Sequence, residues 1–325
     1  MKKKVAVIIL VCMMIICFLY AKNEDKGFQQ MPRIIASDVC ADIKRIETLF
    51  GDIENIIIRR KGIERLLQLN KIQVINHRGY GRIAPENTLS AFRLSKMKGY
   101  DWVETDIRST TDGIMVLLHD SSINRTARNA DGTKITKTFF INNITYADVL
   151  KYDFGIWKSK SYRGEKIPTL EQTLKLCKCI GLKMTIEIKS KDIVLSDLVA
   201  LVNQYGMSGR VEYLSSNKDI ISNLSRLLNN GHIGYNGACN SFLHSYLSSI
   251  RVNGNIVYYH TNIYDKDATR RAVLDEIAKD GFVIVSRVYS KQAVINAPSY
   301  STIYITDVLY PKIILYEEVL QSEYD

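Results

Sequence analysis

The sequence predicts a parallel α/β domain. Three observations carry that prediction. Short apolar runs alternate with amphipathic stretches over most of the chain after Lys71, the pattern of strands joined by crossover helices. Histidines and carboxylates gather where successive predicted strands end, and parallel α/β folds bind ligands at the C-terminal ends of their strands. The chain has 325 residues, and an α/β barrel fills about 250 as one domain. Eight strand–helix units close a TIM (β/α)8 barrel. The strand count between residues 230 and 260 is the soft point of that reading, and an open sheet is the alternative there.

The chain opens with Met1 and three lysines, then runs from Val5 to Ala21 without a charge. A basic start, an apolar run and a polar break at Lys22 describe an export signal. The run also reaches the lower limit for a membrane-spanning helix. Residues 1–21 are read as a signal peptide or an uncleaved anchor. The rest of the chain is then exported, either secreted or anchored to the outer face of the membrane. Residues 22–70 form a linker and an N-terminal helical extension. Within it Val39, Ile43, Ile46, Phe50, Ile53 and Ile57 recur at steps of three and four, the spacing of an amphipathic helix over about residues 38–58.

The barrel is assigned to residues 71–325. Ile72–Ile75 reads as its first strand, Thr88–Lys98 as a helix closed by Gly99, and Trp102–Ile107 and Ile114–Leu118 as two further strands. Residues 121–168 are polar and irregular, an insertion after the third strand with one helix near Tyr146–Leu150. Thr169–Ile180 is a helix ended by Gly181, and Leu182–Ile188 a strand. Helices follow near 195–205, 218–229 and 267–279. Strands follow near 211–214, 233–235, 256–259, Phe282–Ser286 and Ile303–Thr306. Residues 236–255 give no clear pattern. Cys177 and Cys179 sit two apart on a helix and point away from each other, so they do not bridge. No cysteine spacing matches a zinc site.

Four consecutive predicted strand ends carry reactive groups. They deliver His77-Arg78-Gly79, then Glu104 and Asp106, then His119-Asp120, then Glu187 and Lys189. Glu104 and Asp106 are two apart on a strand, so both side chains leave the same face. Inside a barrel such carboxylates are costly unless something neutralises them. Three inward carboxylates suit one divalent cation with oxygen ligands, Ca²⁺ or Mg²⁺. A salt-bridge network with Arg78 and Lys189 is the structural alternative. His77 and His119 form a natural proton-transfer pair. Arg78 offers a planar fork for phosphate oxygens. His232, His244 and His260 are read as packing residues.

The ordered phrases from His77 to Lys189 resemble the glycerophosphodiester phosphodiesterase family. They are His77-Arg78-Gly79, Ala84-Pro85-Glu86-Asn87-Thr88, Glu104-Thr105-Asp106, Thr111-Asp112-Gly113, His119-Asp120, Asp153-Phe154-Gly155, Ile167-Pro168-Thr169-Leu170 and Glu187-Ile188-Lys189, with Ile305-Thr306-Asp307 near the end. The resemblance implies a TIM-barrel enzyme that hydrolyses glycerophosphodiesters to glycerol 3-phosphate and an alcohol, by acid–base catalysis between two histidines. It implies Glu104, Asp106 and Glu187 as metal ligands, His77 and His119 as the catalytic pair, Arg78 as a phosphate contact and Lys189 as an assisting one. It places Glu86 at the rim of the site, where a helix-dipole role at the start of Thr88–Lys98 competes. The strand near the C-terminus departs from the family. A Trp-Thr phrase is common there, and this chain has Phe282 to Arg287 without a Trp; Tyr258, Tyr259, His260 and Tyr264 are candidates either to substitute in the pocket or, equally, to serve as packing residues.

Two rival functions remain. One is phospholipase D-like or phosphatidylinositol-cleaving activity on intact lipid, favoured by the N-terminal segment. The other is a catalytically silent, membrane-anchored binding module, which competent residues at all five metal and histidine positions disfavour. Lys+Arg exceeds Asp+Glu by 44 to 34, a net charge of +10, which favours anionic partners. No nucleic-acid motif or basic–aromatic stripe is present, so nucleic acid is not an expected partner.

Overall fold

The computed structural model describes residues 73–262, 268–289 and 302–307. The chain divides into two units, residues 1–61 and 62–325, and every described residue belongs to the second. The expected export segment at 1–21, the linker and the helix near 38–58 lie outside the described residues, as does Tyr264.

Eight parallel strands close on themselves. They are β1 (Gln73–Asn76), β2 (Trp102–Ser109), β4 (Lys183–Ile188), β5 (Val211–Ser215), β6 (His232–Tyr235), β7 (Ile256–Asn262), β8 (Val283–Arg287) and β9 (Ile303–Thr306). Each pairs in parallel with the next, and β9 returns to β1 with Gln73 opposite Ile303 and Asn76 opposite Thr306. Closure leaves no open edge, which rules out the open-sheet alternative.

The remaining strand corrects the sequence reading. β3 (Met115–Leu117) runs antiparallel to the end of β2, with Ile107 opposite Leu117 and Ser109 opposite Met115. It is the return arm of a hairpin and takes no place among the parallel eight. The reason is the connection: five residues, Thr110 to Ile114, separate it from β2, whereas a parallel partner needs a crossover of about a dozen or more. The reactive groups thus come from three barrel strands and one hairpin arm.

The helices are α1 (Leu89–Met97), α2 (Tyr146–Val149), α3 (Leu170–Ile180), α4 (Leu195–Gln204), α5 (Lys218–Leu227), α6 (Leu243–Ile250) and α7 (Ala268–Lys279). α3 starts in a capping box between Thr169 and Gln172 and stops at Gly181, whose φ of 75° needs no Cβ. α6 fills the stretch the sequence left unread. Its buried Leu243, Leu247 and Ile250 stand four and three apart, a helical stripe too short to rise above its serine-rich surroundings.

Apolar residues form three layers. Outward-facing strand residues such as Val103, Ile107, Met184, Ile186, Tyr213 and Ile284 pack with the helices. Ile75, Trp102, Tyr258, Val285, Ile303 and Ile305 plug the barrel interior. The insertion has a core of its own under Ile123, Ile141, Val149, Phe154 and Ile167. The plug closes the floor and leaves the polar residues at the strands' C-terminal ends to form a basin.

Candidate active site

β2 sends Glu104 and Asp106 into the barrel, both essentially fully buried, and Asp106 stands opposite Glu187 of β4 in the parallel register. One oxygen from each of these three carboxylates lies within 4.8 Å of the others. Two cations offset part of this charge. Arg78 Nε lies 3.2 Å from Asp106, and Lys189 Nζ lies 2.7 Å from Glu187 and 3.4 Å from Asp106. The salt-bridge network foreseen as an alternative is thus present, yet it is incomplete. Glu104 Oε1 and Asp106 Oδ1 are buried and accept no hydrogen bond. Buried carboxylate oxygens without donors are costly, and three hard oxygen donors this close together can hold a divalent cation.

The two β2 carboxyls titrate in opposite directions. Burial pushes Glu104 well above the ordinary range, and the charges of Asp106 and Glu187 push it further. Burial acts on Asp106 likewise, but Arg78, Lys189 and His119 outweigh it, helped by a hydrogen bond from Asn87, and hold it below the ordinary value. Two acids on one face thus differ because the cations stand nearer Asp106.

The loop after β1 is shaped to reach this cluster. Arg78 and Asn87 both adopt left-handed backbone, at φ of 54° and 56°, a conformation uncommon outside glycine. In return the Arg78 amide donates to Glu104 Oε2 at 3.0 Å. Asn87 donates to Asp106 Oδ2 at 2.9 Å and accepts from the Thr105 hydroxyl at 2.8 Å. Gly79 lets the loop press onto α1, since a Cβ there would stand 2.8 Å from Ala91 Cβ and from Phe92 Cδ1.

Each of the two expected histidines has a carboxylate partner. His77 follows β1, with Nε2 3.8 Å from Glu104 and Nδ1 2.9 Å from Asp307 at the end of β9. Arg287 of β8 brings Nη2 to 3.1 Å from His77 Nε2. His119 leaves β3 at the side of β2: the Leu118 amide donates to the Asp106 carbonyl, and the Arg108 guanidinium donates to the His119 carbonyl at 2.8 and 3.0 Å. Its Nδ1 lies 2.7 Å from Asp120 Oδ1. Burial opposes ionisation of Asp120, but hydrogen bonds from Arg125 and His119 prevail and lower its pKa to about 2.

Arg125 completes a chain of charge around the rim. It donates to Asp120 Oδ2 at 2.6 Å and to both oxygens of Glu86 at 2.7 and 2.9 Å, while Arg78 donates to Glu86 at 2.8 Å. Glu86 therefore acts as a clamp between two arginines. The cap of α1 is Thr88, whose hydroxyl accepts from the Ala91 amide, so the helix-dipole role considered for Glu86 is not the one the geometry gives it.

The structure puts His77, Arg78, Glu104, Asp106, Glu187 and Lys189 in mutual contact, and links His119 to them through Asp120, Arg125 and Glu86. Sequence reasoning assigned no role to Asp120, Arg125, Asn87, Asp307, Arg287 or Asn236, the last of which donates to Glu187 at 2.8 Å. Asp120 and Asn87 lay inside the quoted phrases, and Arg125 lay just after one of them. Asp307 stood in the late Ile-Thr-Asp phrase, and Arg287 directly followed the predicted strand Phe282–Ser286; neither shows which side chain it meets until the barrel closes.

Residues 77–233 match the model of the glycerophosphoryl diester phosphodiesterase family. That stretch holds all seven expected site residues. Over these residues the chain belongs to this family. Family members among its relatives include a glycerophosphodiester phosphodiesterase of Caldanaerobacter subterraneus, 31% identical over 168 residues, which are 50% of this chain and 66% of that one. Glycerophosphodiester phosphodiesterase 1 of Rattus norvegicus is 32% identical over 148 residues, 45% of this chain and 42% of its own. The chain thus spans less than two thirds of either relative. A phosphodiesterase of Oleispira antarctica, solved in complex with the product sn-glycerol-3-phosphate, superposes with a TM-score of 0.63 at 23% identity, covering 76% of this chain and 97% of that one. That likeness is one of fold, and it covers 76% of the chain.

Proposed function

We propose that the chain hydrolyses glycerophosphodiesters to glycerol 3-phosphate and an alcohol. The observation that carries this reading is the buried trio Glu104, Asp106 and Glu187 with two carboxylate-partnered imidazoles beside it. Membership of the family supplies the substrate class, and the product bound to the Oleispira protein agrees with it.

A Ca²⁺ or Mg²⁺ ion on the three carboxylates would neutralise charge on a non-bridging phosphate oxygen and acidify a nearby hydroxyl or water. Arg78 and Lys189, next to those carboxylates, would hold the remaining phosphate oxygens as charge builds in the transition state. His77 is assigned as the base. Asp307 lies 2.9 Å from its Nδ1 and accepts a proton there in the tautomer that leaves the lone pair on Nε2. His119 is assigned as the acid, because Asp120 steadies the imidazolium that must protonate the departing alkoxide. The balance is simple. The attacking oxygen bonds to phosphorus, its proton passes to His77, the ester bond to the alcohol breaks, and that alcohol leaves with the proton of His119.

The test is release of alcohol from a soluble glycerophosphodiester by the full chain and by His119→Ala and Glu104→Ala. Each variant should retain cooperative unfolding and lose at least about 10²-fold in kcat, the scale of a lost general acid or charge stabiliser. Turnover like that of the parent in either variant would refute the assignment.

A further inference from the structure

The barrel interior holds a histidine–carboxylate pair that the mechanism above does not use. Glu212 of β5 stands opposite Thr185, and Thr185 opposite Glu104, in the parallel register. The acid therefore lies in the same layer as the floor of the acidic cluster, and it is buried. Its Oε2 accepts from the Thr185 hydroxyl at 2.9 Å, and its Oε1 lies 2.5 Å from Nε2 of His260 on β7. Gly234 of the intervening β6 makes this crossing possible, because a Cβ there would collide with the Glu212 carboxylate. A buried pair of this kind brings little net stability, so packing alone does not account for it.

His260 lines a cavity of about 330 Å³ together with His77, Glu104 and Glu187. Its Nε2 is taken by Glu212. Its Nδ1 has no hydrogen bond among the described residues and is not one of their sealed, unpartnered atoms, so it is the polar atom that the ring offers to the cavity. The two catalytic histidines indicate which half of the substrate meets it. His77 lines this cavity, whereas His119 borders a separate small recess with Glu86, Asn87 and Phe154. In an in-line displacement the attacking and leaving oxygens stand on opposite sides of phosphorus. With the alcohol departing at His119, the space at His77 is left for the glycerol half. Glycerol presents hydroxyls, which both donate and accept, so they pair with Nδ1 whether or not it carries a proton.

We infer that His260 recognises a hydroxyl of the glycerol half through Nδ1, with its ring held by Glu212. His260 is a specificity-determining residue and Glu212 a positioning residue. This deepens the reading of the site as a glycerophosphodiester hydrolase and rests on it.

The experiment compares calorimetric Kd values of the full chain, with Ca²⁺ and Mg²⁺ present, for glycerol 3-phosphate and for propyl phosphate, which lacks both hydroxyls. It is repeated with His260→Phe, with Glu212→Ala and with the double variant, which leaves no lone charge buried should His260→Phe fail to fold. The parent should favour glycerol 3-phosphate by about fivefold or more, the scale of one neutral hydrogen bond. That ratio should collapse in His260→Phe and the double variant, and fall in Glu212→Ala. A parental ratio in the folded variants, or an equal loss of affinity for both ligands, would overturn the inference while leaving the hydrolase reading intact. So would a parent that binds the two ligands alike. Release of alcohol by the parent from glycerophosphoethanolamine and glycerophosphocholine is assayed beside it. Absence of turnover on both would overturn the hydrolase reading itself, and the inference with it.

Discussion

Asn87 shows how much of the site one side chain can hold. It sits in left-handed backbone, bonds Asp106 on one side and the Thr105 hydroxyl on the other, and is itself buried. Asn87→Ala removes both bonds, and the Cβ remains in a conformation alanine disfavours. Losing the amide's hydrogen bond to the Asp106 carboxylate, which keeps Arg78 and Lys189, and leaving the Thr105 hydroxyl unpaired should cost about 2–4 kcal/mol in denaturant unfolding. A variant as stable as the parent would show that Asp106 finds other donors. The sequence made Asn87 visible as part of a phrase, but nothing local says that an amide at that position reaches a strand 18 and 19 residues away. Glu212 is harder still. A glutamate in a run of strand residues reads as a surface position, and its burial is explained only by partners on other strands, His260 and the Thr185 hydroxyl.

At the scale of elements, the insertion after β3 folds around Asp153. This buried carboxylate accepts from the amides of Gly155 at 2.7 Å, Ile156 at 2.8 Å and Gly164 at 2.6 Å. Burial opposes its ionisation, but the three amides outweigh that and hold its pKa below the ordinary aspartate value. A lowered folded-state value gives stability that is present above the unfolded aspartate pKa of about 3.9 and lost as pH falls through the folded value. Asp153→Ala should therefore lower stability by about 2 kcal/mol at pH 7, the scale of bonds to a charged acceptor. The gap to the parent should narrow as the pH approaches 3, as read by denaturant midpoints at each pH. A gap that stays constant with pH would argue against an ionised Asp153. Elements with strong punctuation were legible in sequence: α3 has its capping box and its glycine, and α1 its Thr88. β3 was read as a barrel strand because its residues are strand-like, and its direction is set by the length of the turn before it. α6 was missed because three buried positions make too short a pattern.

For the whole molecule, alternation of strand and helix predicted the barrel. Closure, with β9 laid against β1, is what joins the site. It brings Asp307 to His77 across 230 positions of sequence and Arg287 across 210. The cluster of three carboxylates and the two imidazoles were legible as residues because they lie in phrases within one half of the barrel. Their partners from β8 and β9 were not, since long-range register is invisible to local spacing.

The account stands or falls on the acidic cluster being a cation site. Calorimetric titration of the chelator-treated full chain with Ca²⁺ and with Mg²⁺, beside Asp106→Asn, tests this most directly. One bound ion per chain is predicted for the parent with at least one of the two metals, and its loss or marked weakening in the variant. No binding by the parent, or equal binding by both proteins, would show that Arg78 and Lys189 alone balance the three carboxylates.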